Sequence, residues 1–245
     1  MAETRRLFVA ELPREGGGLR LPEESARHAQ VLRLVVGDVV ELFDAAGALA
    51  AAEITRIARG EVSCVAQAAR VVPERRDRVT LVLGIPKAQK LEPIVRMTTE
   101  LGIHSLALAQ TERSVPKLSS DSPKLERVRR VTREACAQSG QAWAPAILAP
   151  EPLLAAAARA PEHAHKLVFW EEGGEALGAL VPGAGPIHDV WAVVGPEGGL
   201  ARSEVEGLAR LGYRTASLGE AVLRVDTAAV VIAALLLDRL RTAAH

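Results

Sequence analysis

The stretch from Trp191 to Leu237 constrains this chain more than any other. An apolar run at 191–194 leads straight into Gly195-Pro196-Glu197-Gly198-Gly199, and a second turn follows at Ser217-Leu218-Gly219-Glu220. A glycine-rich turn at the carboxyl end of a buried strand is where open α/β sheets bind ligands. With no Cβ, glycine lets backbone N–H and C=O groups come close to a ligand. Two such turns close in sequence can form two walls of one cleft, although either alone is an ordinary strand-to-helix turn. Behind the second, Val222-Leu223-Arg224-Val225-Asp226-Thr227-Ala228-Ala229 runs into an apolar helix.

From residue 79 onward, apolar strands alternate with amphipathic helices, which predicts a mainly parallel sheet covered by helices. The expected strands are 79–84, 105–110, 146–148, 166–170, 189–194 and 214–217. A helix is expected over 90–101, with Leu91, Ile94, Val95 and Thr98 on one face and Gly102 placed to end it. Another runs from Ser122-Pro123, serine capping and proline in the first turn, to about Ser139. Further helices are expected over 152–160, 175–180, 203–211 and 227–240, with Ser203 and Glu206 as a capping box. No GxGxxG follows a strand and no GxxxxGK[ST] is present, which disfavours a Rossmann-type cofactor site and a P-loop. His163-x-His165 has no thiolates or clustered carboxylates beside it, so it reads as a surface loop and no metal is expected.

Residues 1–72 read as a small β-rich domain: short strands over 6–9, 39–43, 48–57 and 61–70 suggest a small barrel, with a helix over 23–30. Pro73 and the charges that follow it mark the linker to a second domain, 73–245. Residues 71–140 carry thirteen basic side chains against eight acidic ones in a chain of zero net charge, a modest sign of a polyanion partner. Arg127, Arg129, Arg130 and Arg133 lie opposite the apolar face of the 122–139 helix, either as a solvated face or as phosphate contacts. The N-terminal residues lack the apolar stretch of a signal peptide, and the longest apolar run, 228–237, is too short to span a bilayer. With two cysteines forming no framework, the expected location is the cytoplasm.

VGPEGG followed by SLGEAVLRVDTAA resembles the signature of the SPOUT methyltransferases, specifically the ribosomal RNA small subunit methyltransferase E family. The resemblance extends upstream. His28, Val31-Leu32-Arg33 and Gly37-Asp38 match its N-terminal pattern, Lys87, Lys90 and Thr99–Gly102 its first strand–helix unit, and Thr111–Ser114 a loop near its active site. Glu134–Gln141 matches a motif that usually ends in arginine; Gln141 stands there in this chain. The resemblance implies a PUA-like RNA-binding β-barrel, then an α/β domain with a trefoil knot at about 191–237, a rare exception to unknotted topology. It also implies a homodimer paired through helices around the knot, and methylation, with S-adenosylmethionine, of N3 of one uridine near the decoding site of 16S rRNA. Runner-up readings are a SPOUT ribose 2′-O-methyltransferase and a non-catalytic RNA-binding or assembly protein.

By the same resemblance Gly195, Pro196, Glu197, Gly199, Leu218, Gly219, Leu223, Arg224 and Thr227 surround the cofactor. His28, Arg33, Arg113, Ser114, Arg129, Arg133 and Gln138 face RNA. The chemistry needs an N3 stripped of its proton, hence a base or stabilisation of the anion that spreads onto O2 and O4. Arginine, always charged and forked, suits the second task. Arg224 is therefore the expected catalytic residue, with Glu197 or Asp226 orienting it or accepting the proton; Asp226 stands where the family more often has glutamate. A buried charge between Leu223 and Val225 is costly unless it is used.

Overall fold

The computed structural model describes residues 5–13, 15–115, 117–181 and 187–242. It divides into two units, residues 1–74 with 133–144, and residues 75–132 with 145–245.

In the first unit β1 (Arg6–Phe8), β2 (Gly17–Arg20), α1 (Glu23–Val31), β3 (Val39–Phe43), β4 (Ala48–Ala58), β5 (Glu61–Ala66) and β6 (Arg70–Val71) follow in order. The sheet runs β1-β3-β4-β5-β2 with β6 on β4; β1 and β3 are parallel and the other pairs antiparallel. Alternate residues of β3 and β4 (Val40, Leu42, Ala50, Ala52, Ile54) turn inward onto Leu7, Val62 and Cys64, the period of two that a half-buried strand dictates. α1 packs on β1 and β5. The expected strand over 61–70 is interrupted, because β6 leaves β5 to pair with Ala48 and Leu49. β2 carries little apolar signal and is a strand because Leu19 and its neighbours pair with β5.

Residues 133–144 complete this unit. Arg6, 6% exposed, donates from Nε to Glu41 Oε1 at 2.7 Å and from Nη1 to the carbonyls of Cys136 and Gln141, each at 3.0 Å. Its guanidinium lies 5.0 Å from the centroid of the Phe43 ring. A buried charge is tolerable when its donors are used in this way. Trp143 donates its indole N–H to the Val72 carbonyl at 2.9 Å, and its ring makes position 47 a glycine: a Cβ there would lie 2.4 Å from Cζ2.

The second unit contains β7 (Arg78–Gly84), α2 (Ala88–Leu101), β8 (Ser105–Gln110), α3 (Pro123–Ser139, whose last turns belong to the first unit), β9 (Ala146–Pro152), α4 (Leu153–Ala158) and β10 (His165–Phe169). There follow β11 (Glu175–Ala176), α5 (Leu177–Leu180), β12 (Asp189–Val194), α6 (Arg202–Arg210), β13 (Arg214–Ser217) and α7 (Val225–Thr242). Seven strands, all parallel, lie in the order β11-β13-β10-β12-β7-β8-β9. Their apolar runs are continuous because both faces are covered. Leu81, Leu83, Leu108, Leu167 and Ala192 join the apolar sides of α2, α5 and α7, while Val82, Ala107, Val168 and Val193 join those of α4 and α6. α2 buries Leu91, Ile94, Val95 and Thr98 as expected, and ends at Gly102 in the left-handed conformation, φ 86°.

Four local expectations are corrected. β9 runs on to Pro152, since β8 carries the ladder as far as Gln110↔Pro152, and α4 is correspondingly shorter. The segment 175–180 opens as β11 because Glu175 and Ala176 pair with Ala216 and Ser217. The carboxylate that caps α6 is Glu204, accepting the Ala201 N–H at 2.9 Å, rather than Glu206. His165 opens β10 instead of lying in a loop. Among the described residues, no helix is long and apolar enough to cross a membrane, and no group of three or more His, Cys, Asp or Glu could hold a metal ion.

Candidate functional site

β13, β10 and β12 are neighbours, and being parallel they end on the same edge of the sheet, at Ser217, Phe169 and Val194. The strand order reverses next to these three, between β12 and β7: β8 and β9 extend from β7 one way, β10, β13 and β11 from β12 the other. That is the switch point at which open α/β sheets form a crevice. The turns leaving these three strand ends, with the start of α7, enclose a cavity of about 300 Å³.

Eight residues named from sequence line it: Gly195, Pro196, Glu197 and Gly199 on one wall, Leu218, Gly219, Leu223 and Arg224 on the other. Phe169, Val194, Val225, Ala228 and Ile232 supply apolar surface. Thr227 is exposed and, like Asp226, lies outside the lining. Lys90, Trp170 and Glu171 line the cavity and were not among the sequence candidates. A signal existed for the last two, which leave a strand end ahead of Gly173-Gly174, a third glycine turn.

The first wall is built by close approach. Gly199 has φ 70°, and a Cβ there would meet Glu171 Oε1 at 2.2 Å. Gly84, at the end of β7, admits Pro196: a Cβ would lie 2.6 Å from its Cδ and 2.8 Å from its backbone N. Both Glu197 oxygens accept the Lys87 N–H, at 3.1 and 3.2 Å, tying this wall to the start of α2. Arg113 Nη1 donates to the Gly198 carbonyl at 2.9 Å.

The second wall is barer. Ser217 Oγ accepts the Gly219 N–H at 3.1 Å, and Glu220, Ala221 and Val222 stand in solvent. The Arg224 side chain is 75% exposed, which corrects the expectation of a desolvated guanidinium: Val225 turns inward and Arg224 faces water at the cavity. Asp226 Oδ1 lies 3.0 Å from Lys90 Nζ and 3.7 Å from Arg224 Nε. The hydrogen bond from Lys90, before any other cause, holds the Asp226 carboxyl below the usual carboxylate range, so it is ionised at neutral pH.

The residues expected to face RNA fall in both units. In the first, His28 and Gln138 are exposed, and Arg33, also exposed, takes the left-handed conformation just after α1, φ 54°. Arg133 is only 23% exposed there, 3.2 Å from Glu24 and 4.8 Å from the Phe8 ring centroid. In the second, Arg129 pairs with Glu126 and Arg127 with Glu92 at 2.6 Å. Ser114 Oγ sits 2.9 Å from Thr111 Oγ1, closing the turn that carries Arg113.

A parallel sheet with this cleft beside its switch point defines the class: the RNA methyltransferase domain model matches residues 73–237, and an RNA methyltransferase PUA domain model matches 21–67. The chain is 31% identical to the ribosomal RNA small subunit methyltransferase E of Bacillus subtilis, over 84% of each chain. It is 32% identical to that of Synechocystis, over 82% of this chain and 66% of the other. The structure of the putative methyltransferase Lpg2936 from Legionella pneumophila, in complex with S-adenosylmethionine, superposes with a TM-score of 0.87 at 26% identity, covering 95% and 96% of the two chains. The chain belongs to the ribosomal RNA small subunit methyltransferase E family.

Proposed function

We propose that this chain transfers a methyl group from S-adenosylmethionine to N3 of a uridine in 16S rRNA. The observation that carries the reading is the cavity between two glycine turns at the carboxyl ends of β12 and β13, with Arg224 and Lys90 on its walls. Its residues fit the cofactor. The glycines at 195, 199 and 219 leave backbone groups open to a ligand, the apolar patches suit a purine, and the buried Trp170 indole N–H has no hydrogen-bond partner among the described residues. When bound, S-adenosylmethionine supplies an electrophilic methyl on its sulfonium. The chain's part is to hold both reactants and to manage charge. Glu197 keeps the first wall against α2, and Arg224 reaches a uracil carbonyl from the solvent side as the N3 proton leaves to water. The test is mass-spectrometric mapping of methylated uridines in 16S rRNA from cells with and without this gene. Loss of one N3-methyluridine is expected, and an unchanged map overturns the reading.

The wider setting belongs to the same proposal. The substrate is rRNA of the small ribosomal subunit, modified in the cytoplasm, and residues 191–237 are threaded as a trefoil. In support of the threading, β13 inserts between β11 and β10 while α7 returns to pack on β7 and β12. Two copies pair through the outer face of α7, where Val230, Val231 and Ala234 are only half-buried and Leu235 is 40% exposed. Sedimentation as a 26.0 kDa monomer at micromolar concentration would exclude the pairing.

A further inference from the structure

N3 of uracil lies between two carbonyls, and the anion formed at N3 spreads its charge onto both. A single cation at Arg224 answers one of them. The cavity carries a second cation in Lys90, on the first turn of α2. That is an unfavourable place for a positive charge, since the helix dipole already puts its positive end there. Lys90 is 15% exposed against 75% for Arg224, so less water screens its field on a neighbouring charge. One carboxylate oxygen, Asp226 Oδ1, reaches both, at 3.0 Å from Lys90 Nζ and 3.7 Å from Arg224 Nε, from outside the cavity lining. The three side chains together carry a net charge opposite in sign to the one the reaction develops.

We propose that Lys90 is the second cation of the reaction, meeting one uracil carbonyl while Arg224 meets the other, and that Asp226 is a positioning residue setting their spacing rather than the base. A carboxylate kept ionised by Lys90 has little affinity for the proton of a weakly acidic imide. The step balances without it. The N3–H bond breaks and its proton goes to water. A bond forms from N3 to the methyl carbon as the sulfur–carbon bond breaks, leaving a neutral thioether. The inference rests on the methylation reading above.

The experiment is single-turnover methylation of 16S rRNA across pH by Lys90→Met, Lys90→Arg, Asp226→Asn and the Lys90→Met/Asp226→Asn pair, with S-adenosylmethionine affinity measured by calorimetry. Lys90→Met is expected to lose about a hundredfold in rate at neutral pH, the usual cost of one preorganised donor. Its rate should recover as pH rises, because a less stabilised anion forms only at higher pH. Lys90→Arg should restore part of the rate, and the double variant should lose little beyond Lys90→Met, since the two residues act as one unit. Cofactor affinity should be unchanged, which also certifies the fold of each variant. A wild-type rate in Lys90→Met overturns the inference, as does a loss of cofactor affinity matching the loss in rate, which would put Lys90 on the cofactor's carboxylate. A wild-type chain that methylates no uridine brings down the functional reading itself, and the inference with it.

Discussion

The two walls of the cavity are both glycine turns at parallel strand ends, yet they are built differently. The first, 195–199, is held from several sides: Gly84 against Pro196, Lys87 N–H on Glu197, and Arg113 on the Gly198 carbonyl. The second, 217–224, closes on itself through Ser217 and Gly219 and leaves Val222 79% exposed. The ties to the first wall come from β7, α2 and the turn after β8. A wall fixed in this way is set before a ligand arrives, whereas the second, with fewer ties to other elements, is expected to adjust when something occupies the cavity. The first is thus the template of the site, and the second, which carries Arg224, is the part that responds.

The largest effect on stability and cofactor binding is expected from breaking the template. Gly84→Ala puts a methyl group where Pro196 now sits, against backbone rather than the movable end of a side chain. Overpacking of this kind costs about 1–3 kcal/mol, and here the strain falls on the wall that holds the cofactor. S-adenosylmethionine affinity should drop by an order of magnitude or so in calorimetry, in line with that cost, with a lowered Tm. Wild-type affinity with an unchanged Tm would mean that the first wall is as adaptable as the second.

Arg224→Ala tests the responding wall and should have the opposite signature. The side chain is 75% exposed, so its removal should leave Tm near that of the wild type. Single-turnover methylation should fall by about a hundredfold, and Arg224→Lys should also be impaired because it keeps the charge and loses the fork. A parallel fall in cofactor affinity would instead place Arg224 in the service of the cofactor. Acid should weaken the same wall. A carboxyl whose folded pKa is depressed contributes fully above its unfolded value and loses that contribution as pH falls through the folded one. The Asp226 links to Lys90 and Arg224 are therefore intact at neutral pH and release only below the usual carboxylate range.

How far the sequence announced this asymmetry depends on how local each cause is. The glycines at 195, 199 and 219 and the run to Arg224 were legible because a strand followed by a glycine turn is a contiguous pattern. Gly84 was silent: its need for glycine comes from Pro196, which reaches it only through the β7–β12 ladder. Lys90 and Asp226 are 136 residues apart, and no spacing rule joins them. Arg224 is visible in the sequence but its exposure is not, because flanking by Leu223 and Val225 does not say which way each side chain turns. In the sequence the arginine row of α3 forms one face, yet Arg133 is taken up by Glu24 and Phe8 and Arg127 by Glu92, partners that only tertiary contacts supply. Among the strands, β2 and β11 escaped for a related reason: both are short and exposed, and a pairing partner rather than their own composition makes them strands.

The smallest effect, and the finest test of the comparison, is expected at Val222. In the open cavity it lines the second wall with 79% of its surface in water. An exposed valine contributes almost nothing to folding, so Val222→Ser should leave Tm unchanged within the error of a surface substitution, about 0.5 kcal/mol. If the second wall closes over the cofactor, however, Val222 exchanges water for apolar contact on binding. Full burial of such a side chain is worth about 1.5 kcal/mol, which sets roughly tenfold in affinity as the ceiling. A loss of a few-fold, within that ceiling, is the expected result, carried mainly by faster dissociation as is usual for contact changes within one site. Stopped-flow measurement of cofactor binding and release resolves it. Identical dissociation rates for Val222→Ser and wild type would show that the second wall stays as open with the cofactor as without it.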